Sequence, residues 1–274
     1  MTEPIAALAG AVVRFGDQPA LDGVDLRADR GTVTAVVGGD GAGKTTLLRA
    51  LVGRVDLRAG TRRAPGPAAI GYLPASQGSW RGLTVAQNVQ FVGGSYGLRG
   101  PALARRTDVL LAAAGLDPFR GRPASQLSGG MRRKLGVCMA MVHEPALLVL
   151  DEPSTGVDPV SRVDLWRLAS GAAAAGAAVV MSTTYLDEAE RAGHVLVLDR
   201  GRALVSGTPA EVRAAIPGVV TSAAEPVRAQ WSWRRGRRVH ELWPDGQPHG
   251  GQQVPPDLED VVIARILVRE EGQR

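Results

Sequence analysis

The segment best suited to chemistry is a glycine-rich run, GGDGAGKTT at Gly38–Thr46. It satisfies G-x-x-x-x-G-K-[ST] and lies between an apolar strand-like stretch, Thr32–Val37, and a helix read from Lys44 to about Val52. Gly38, Gly39, Gly41 and Gly43, with Asp40 and Ala42 between them, let the backbone wrap closely so that N–H groups face a phosphate. The helix start adds the positive end of its dipole. Lys44 offers a point charge to the β and γ phosphates, and Thr45, followed by Thr46, offers a hydroxyl to Mg2+. The bland alternative is a glycine-rich turn before a helix. A second segment, LLVLDEP at Leu147–Pro153, is an apolar strand ending in two carboxylates. Asp151 at the strand tip suits a Mg2+ shell, and Glu152 suits polarisation of an attacking water. An acidic pair after a strand is common and gains meaning here from the phosphate loop upstream. The third segment is QLSGGMRRKLG at Gln126–Gly136. Ser128 caps a helix, and Gly129 and Gly130 read either as a plain N-terminal turn or as a close backbone approach to a phosphate.

The elements that must position these residues alternate. Strands are expected within 5–36, including Leu21–Leu26 and Thr32–Val37, with a turn at Asp29–Gly31. Ile70–Leu73 reads as a short strand, and 84–115 carries helical spacing. There Val85, Val89 and Val92 predict one buried face, and Val109, Leu110 and Ala113 another. Helix is expected over 129–142, a strand buried on both faces at Ala146–Leu150, helix over 159–170, strand over 177–182, helix over 186–192, and strands over 194–198 and 202–205. This alternation predicts an α/β fold with a largely parallel sheet. The segment 218–256 reads differently. Val227, Ala229, Trp231 and Trp233 alternate with polar residues, Gly236 offers a turn, and Val239–Trp243 resumes, so a β-hairpin closed by Pro244–Gly246 is expected. Asp257 then caps a helix with Leu258, Val261, Val262 and Ile266 on one stripe.

Composition sets the outer limits. The 274 residues suit one large domain or two small ones at about 150 residues each. With 45% hydrophobic and 22% charged residues, collagen, coiled coil and general disorder are excluded. The single cysteine, Cys138, allows no internal disulfide and no cysteine-built zinc cluster, and reads as a small core residue. The longest mild apolar run, near Gly171–Met181, is about half a bilayer span. MTEPIAALAG lacks the basic and apolar parts of a secretory signal. A cytoplasmic protein is expected, or one held peripherally on the cytoplasmic face of the membrane. The net charge is +5, and residues 228–241 carry +4 of it (five arginines against Glu241). The rest is nearly neutral, so no nucleic acid is expected as a partner. WSWRRGRR itself suits RNA, anionic headgroups or, most simply, a solvated hairpin rim. Trp80 and Trp166 read as packing residues.

In their order, the three motifs resemble the nucleotide-binding subunit of an ABC transporter over about residues 5–211. LSGGM resembles that family's signature and STGVD, Ser154–Asp158, its D-loop. The stretch from Gly130 to Arg162, with GTPAEV at 207–212 and DLEDVVIA at 257–264, is most similar to exporter ATPases that serve separate membrane subunits. The resemblance implies a RecA-like P-loop ATPase core at 5–211 with an N-terminal antiparallel β subdomain and a helical subdomain inserted at about 77–142. A small C-terminal β-plus-helix extension follows at 218–274. ATP and Mg2+ are implied, and so are polytopic permease subunits and a second ATPase subunit, identical or different. By resemblance Phe15 stacks on adenine, with a core phenylalanine as the alternative. Ser128, Gly129 and Gly130 contact the γ-phosphate of ATP held by the other subunit, and Asp158 links the two sites.

Two positions depart from the family pattern. GYLPASQG has Ala75 where a Mg2+-touching glutamine is usual, with Gln77 two residues on as a substitute. STTYLDEAE has Thr184 where the γ-phosphate histidine is usual, and His194 falls too late to replace it. ATP-driven export is the function these residues imply. The alternatives are a soluble ABC ATPase acting on nucleic acid or the ribosome, and a nucleotide-binding regulator of low turnover.

Overall fold

The structure is a computed structural model that describes residues 3–76 and 78–272. Gln77 lies outside the described residues. The central sheet has the order β5-β6-β7-β3-β8-β9. Its strands are β3 (Val33–Val37), β5 (Ile70–Leu73), β6 (Leu147–Leu150), β7 (Ala178–Thr183), β8 (His194–Asp199) and β9 (Arg202–Gly207). The first five run parallel, and β9 closes one edge antiparallel to β8. Every residue of β3, β6 and β7 is buried. Continuous Val/Leu/Ala runs do this because a parallel strand is covered on both faces.

One face packs on a three-stranded antiparallel sheet, β2-β1-β4, made from β1 (Ala6–Phe15), β2 (Gln18–Ala28) and β4 (Ala59–Arg63). Leu8, Val13, Leu21 and Val24 there meet Leu47, Leu48 and Leu51 of α1 (Lys44–Leu51) and Val149 and Val180 of the central sheet. The other face carries α5 (Pro159–Ala174) and a helical layer of α2 (Val85–Ser95), α3 (Gly100–Ala113) and α4 (Gly129–Met141). Thr84 starts α2 with a capping box to Gln87. Short α6 (Leu186–Ala189) and α7 (Pro209–Ala214) lie at the β8 side. At the C-terminal end β10 (Val219–Ala223), β11 (Ser232–Arg235), β12 (Arg238–Trp243) and β13 (Gln252–Gln253) form a separate sheet in the order β11-β12-β10-β13. It is backed by α8 (Leu258–Glu271), whose N-cap is Asp257.

Several expectations need correction. In α3 the buried stripe is Thr107, Leu110, Leu111 and Ala114, while Val109 and Ala113 face outward. A stripe read from apolarity alone was offset by one residue, because alanine and valine carry too little apolar surface to fix the face. Helix α5 runs four residues further than expected, through alanines that favour helix. Helix α6 is only four residues long. The hairpin turns at Gly236 (φ 61°), whereas Pro244–Gly246 is a separate turn that ends β12. Residues 229–231 form a 3-10 turn instead of strand. Strand β4 carries no sequence signal, since all five of its residues are exposed at a sheet edge. Trp80 packs edge-on against Phe91 at the surface and stays 45% exposed, while Trp166 is partly buried between two core clusters.

Candidate nucleotide site

The site lies at the carboxyl ends of three adjacent parallel strands, β6, β7 and β3, where open α/β sheets place ligands. Strand β3 ends at Val37 and the glycine-rich loop turns directly into α1. Only glycine fits two of its corners. A Cβ at Gly38 would stand 2.4 Å from the Leu198 carbonyl oxygen. Gly43 has φ 106°, and a Cβ there would stand 2.7 Å from the Ala20 carbonyl oxygen. Gly43 is also the N-cap of α1 and provides no side-chain cap, so the first N–H groups of the helix stay available for an anion. Together Gly39–Thr46, Phe15, Ala20 and Glu152 line a cleft of about 240 Å³. Phe15 is 56% exposed at the cleft, so it is not the core phenylalanine that the alternative supposed.

Lys44 is buried, and its ammonium is fully engaged. Nζ donates to the carbonyls of Gly38 (2.7 Å) and Gly39 (3.1 Å) and forms an ion pair with Glu152 Oε1 (3.1 Å). Thr155 Oγ1 donates to Glu152 Oε2 (3.3 Å). Glu152 has φ 48°, a left-handed backbone that costs a non-glycine residue about 1–3 kcal/mol and marks functional sites. Asp151 is fully buried. Its Oδ1 accepts from the hydroxyls of Thr45 (3.1 Å) and Ser182 (2.8 Å), while Oδ2 has no hydrogen-bond partner among the described residues. A buried carboxylate oxygen left over beside a threonine hydroxyl fits Mg2+, which takes hard oxygen ligands and usually only one or two carboxylates.

The Ser128–Gly130 turn is not part of this cleft. Ser128 caps α4 by accepting from Met131 N–H (3.2 Å). A Cβ on Gly130 would stand 2.8 Å from Ser161 Oγ and 3.2 Å from Asp158 Oδ2, so the turn packs on the start of α5. Asp158 caps that helix, and the Ser161 N–H holds its carboxyl below the usual carboxylate range. Thr184 is exposed just beyond β7. Ala75 contributes its carbonyl, which accepts from the Arg133 guanidinium of α4, as does the Pro74 carbonyl (3.2 Å). Burial pushes Arg133 down from its ordinary range, and the charges of Asp151 and Glu152 oppose that shift. His194 binds Ser206 Oγ (2.8 Å) and takes no part in the cleft. Cys138 is fully buried, its thiol pushed up to about 12 by desolvation.

Ser182, Thr155 and Arg133 escaped the reading of the sequence. A signal existed for Ser182. The parallel register pairs Leu150 with Met181, so the residues that follow, Asp151 and Ser182, lie side by side at the strand ends.

Comparison with known proteins decides the family. The ABC transporter family model matches residues 21–155. The chain is 36% identical over 280 residues to the daunorubicin resistance ATP-binding protein DrrA2 of Streptomyces coeruleorubidus, covering 95% of this chain and 86% of the relative. The chain belongs to the ABC transporter family. It is also 39% identical over 221 residues to the probable multidrug ABC transporter ATP-binding protein YbhF of Escherichia coli, covering 76% of this chain but only 38% of YbhF. Among solved structures, an ATP-binding subunit of an ABC transporter superposes with a TM-score of 0.70 at 27% identity, covering 77% of this chain and 92% of the other. The fold is therefore the ABC ATPase cassette, a RecA-like P-loop α/β core with an antiparallel β layer and a helical layer. No helix among the described residues is long and apolar enough to cross a membrane.

Proposed function

We propose that the chain is the ATP-hydrolysing subunit of an ABC exporter, working peripherally on the cytoplasmic face through polytopic permease subunits. The observation that carries ATP hydrolysis is the convergence of Lys44, Asp151 and Glu152 at the ends of β3 and β6. Lys44 releases Glu152 and takes the β and γ phosphates, and Phe15 covers the adenine. Thr45 and Asp151 would hold Mg2+, which would neutralise phosphate charge when bound. Freed from Lys44, Glu152 orients a water and accepts its proton as the γ-phosphate is transferred. Ser128, Gly129 and Gly130 lie outside their own chain's cleft, which supports their closing the ATP site of a second subunit, with Asp158 at the joint.

Support for a permease comes from the relatives, named for multidrug transport, daunorubicin resistance and Nod factor export. A groove of about 220 Å³ beside the loop after β5 suits the contact. It is lined by Tyr72, Trp80, Tyr96 and His143, and Trp80 sits edge-on to exposed Phe91 at 4.7 Å. The test is to tag the chain in its native host and extract it from membranes in mild detergent. A polytopic protein in stoichiometric amount is expected. Nuclease-sensitive nucleic acid in its place would favour the rival reading.

Thr184 supports a slow site of its own. A short neutral hydroxyl stabilises developing phosphate charge less than an imidazolium does, and loss of one such donor costs about 10²–10³ in rate. We expect Thr184→His with Ala75→Gln to raise the turnover of the isolated chain by about 10², and expect the chain to pair naturally with a different, faster cassette. An unmodified chain already turning over at about 10 s⁻¹ would contradict this.

A further inference from the structure

We propose that Ser182 is a positioning residue for the two carboxylates of the ATP site, tying the metal-facing aspartate and the water-activating glutamate to one hydroxyl. The inference rests on the ATPase reading above and names a group which that reading does not use.

Ser182 is fully buried near the end of β7, between β6 and β3. Its Oγ donates to Asp151 Oδ1 (2.8 Å) and accepts from the Glu152 backbone N–H (2.8 Å). A hydroxyl has one proton, and the ionised carboxylate can only accept. The proton therefore points to Asp151 and a lone pair to Glu152, with no second arrangement available. Two consequences follow. With Oδ1 occupied by Ser182 and by Thr45, the Asp151 carboxylate is fixed in rotation, and Oδ2 is the oxygen without a hydrogen-bond partner among the described residues. The hydrogen bond to Glu152 N–H also pins the one strained peptide of the site, at φ 48°, from which the Glu152 side chain reaches Lys44 and Thr155. A small apolar residue would fill the same space in the sheet and do neither.

The test compares purified full-length Ser182→Ala, Ser182→Thr and Ser182→Val. Threonine and valine differ only in hydroxyl against methyl, which separates the hydrogen bonds from bulk. ATP affinity is measured by calorimetry in EDTA and again in Mg2+, and hydrolysis is titrated with Mg2+. For the alanine and valine forms, the Mg2+ concentration giving half-maximal turnover should rise about tenfold or more, as for other partners of metal ligands. Their kcat should fall while ATP affinity in EDTA stays within about twofold; Ser182→Thr should recover both. Wild-type Mg2+ dependence and kcat in the alanine and valine forms would overturn the assignment. So would a matched loss of affinity in EDTA and in Mg2+ with a lowered melting temperature, since that marks a purely structural residue. A wild-type chain that binds no ATP in either buffer would overturn the ATPase reading itself, and Ser182 with it.

Discussion

Replacing Lys44 with alanine is expected to remove Mg-ATP binding and turnover together. The ammonium is buried and held by two loop carbonyls, so its position is set before any nucleotide arrives. Such a charge needs little reorganisation when phosphates enter, which is where preorganised sites gain most. Deleting it leaves the β and γ phosphate oxygens near the Glu152 carboxylate without the ammonium that pairs with that carboxylate at 3.1 Å. An affinity loss of at least about 10², near 3 kcal/mol at 1.4 kcal/mol per decade, is expected. The rate should fall below detection. Calorimetry is the check, with circular dichroism confirming the fold. Equal affinities for wild type and K44A would refute the site.

Glu152→Gln should separate binding from chemistry. The amide is isosteric but cannot take a proton, and general-base removal typically costs about 10²–10⁴ in rate. Binding should hold or tighten. Glu152 Oε1 sits 3.1 Å from Lys44 Nζ, so the carboxylate competes with phosphate for the same cation and repels it. Neutralising it removes both penalties. Single-turnover hydrolysis beside equilibrium binding measures the two effects. A glutamine variant hydrolysing within about threefold of wild type would mean that another group activates the water.

The central sheet, the phosphate loop and the carboxylate pair were legible because each is written locally. Glycine spacing, apolar runs buried on both faces and a strand tip of two acids need no long-range information. Asp257 as a cap and the last helix were legible for the same reason. What stayed hidden depends on register or on edges. β4 has no apolar face to announce it. Ser182 gains its meaning only when β7 pairs with β6. Arg133 is one of thirty arginines until α4 brings it to the carbonyls of Pro74 and Ala75. The internal partners of the basic segment 228–241 also depend on the fold. Arg228 pairs with buried Glu241, Arg235 with Asp257 and Glu259, and Arg238 with Ser222, so three of its five arginines are spent inside the extension.

The buried state of Cys138 has a practical consequence for watching such a protein move. A thiol pushed up to about 12 is ionised to only about one part in 10⁵ at neutral pH, and this one is also sealed from reagent. The Cys138 thiol is thus unreactive toward maleimides in the folded chain. Any cysteine introduced at an exposed position becomes the only reactive thiol, without a prior Cys138 substitution that would disturb the core. One at Gly39 and one at Ser128, in separately tagged copies, would cross-link only if the glycine-rich loop of one subunit closes onto the helix start of another. The yield with and without ATP would then time that closure directly.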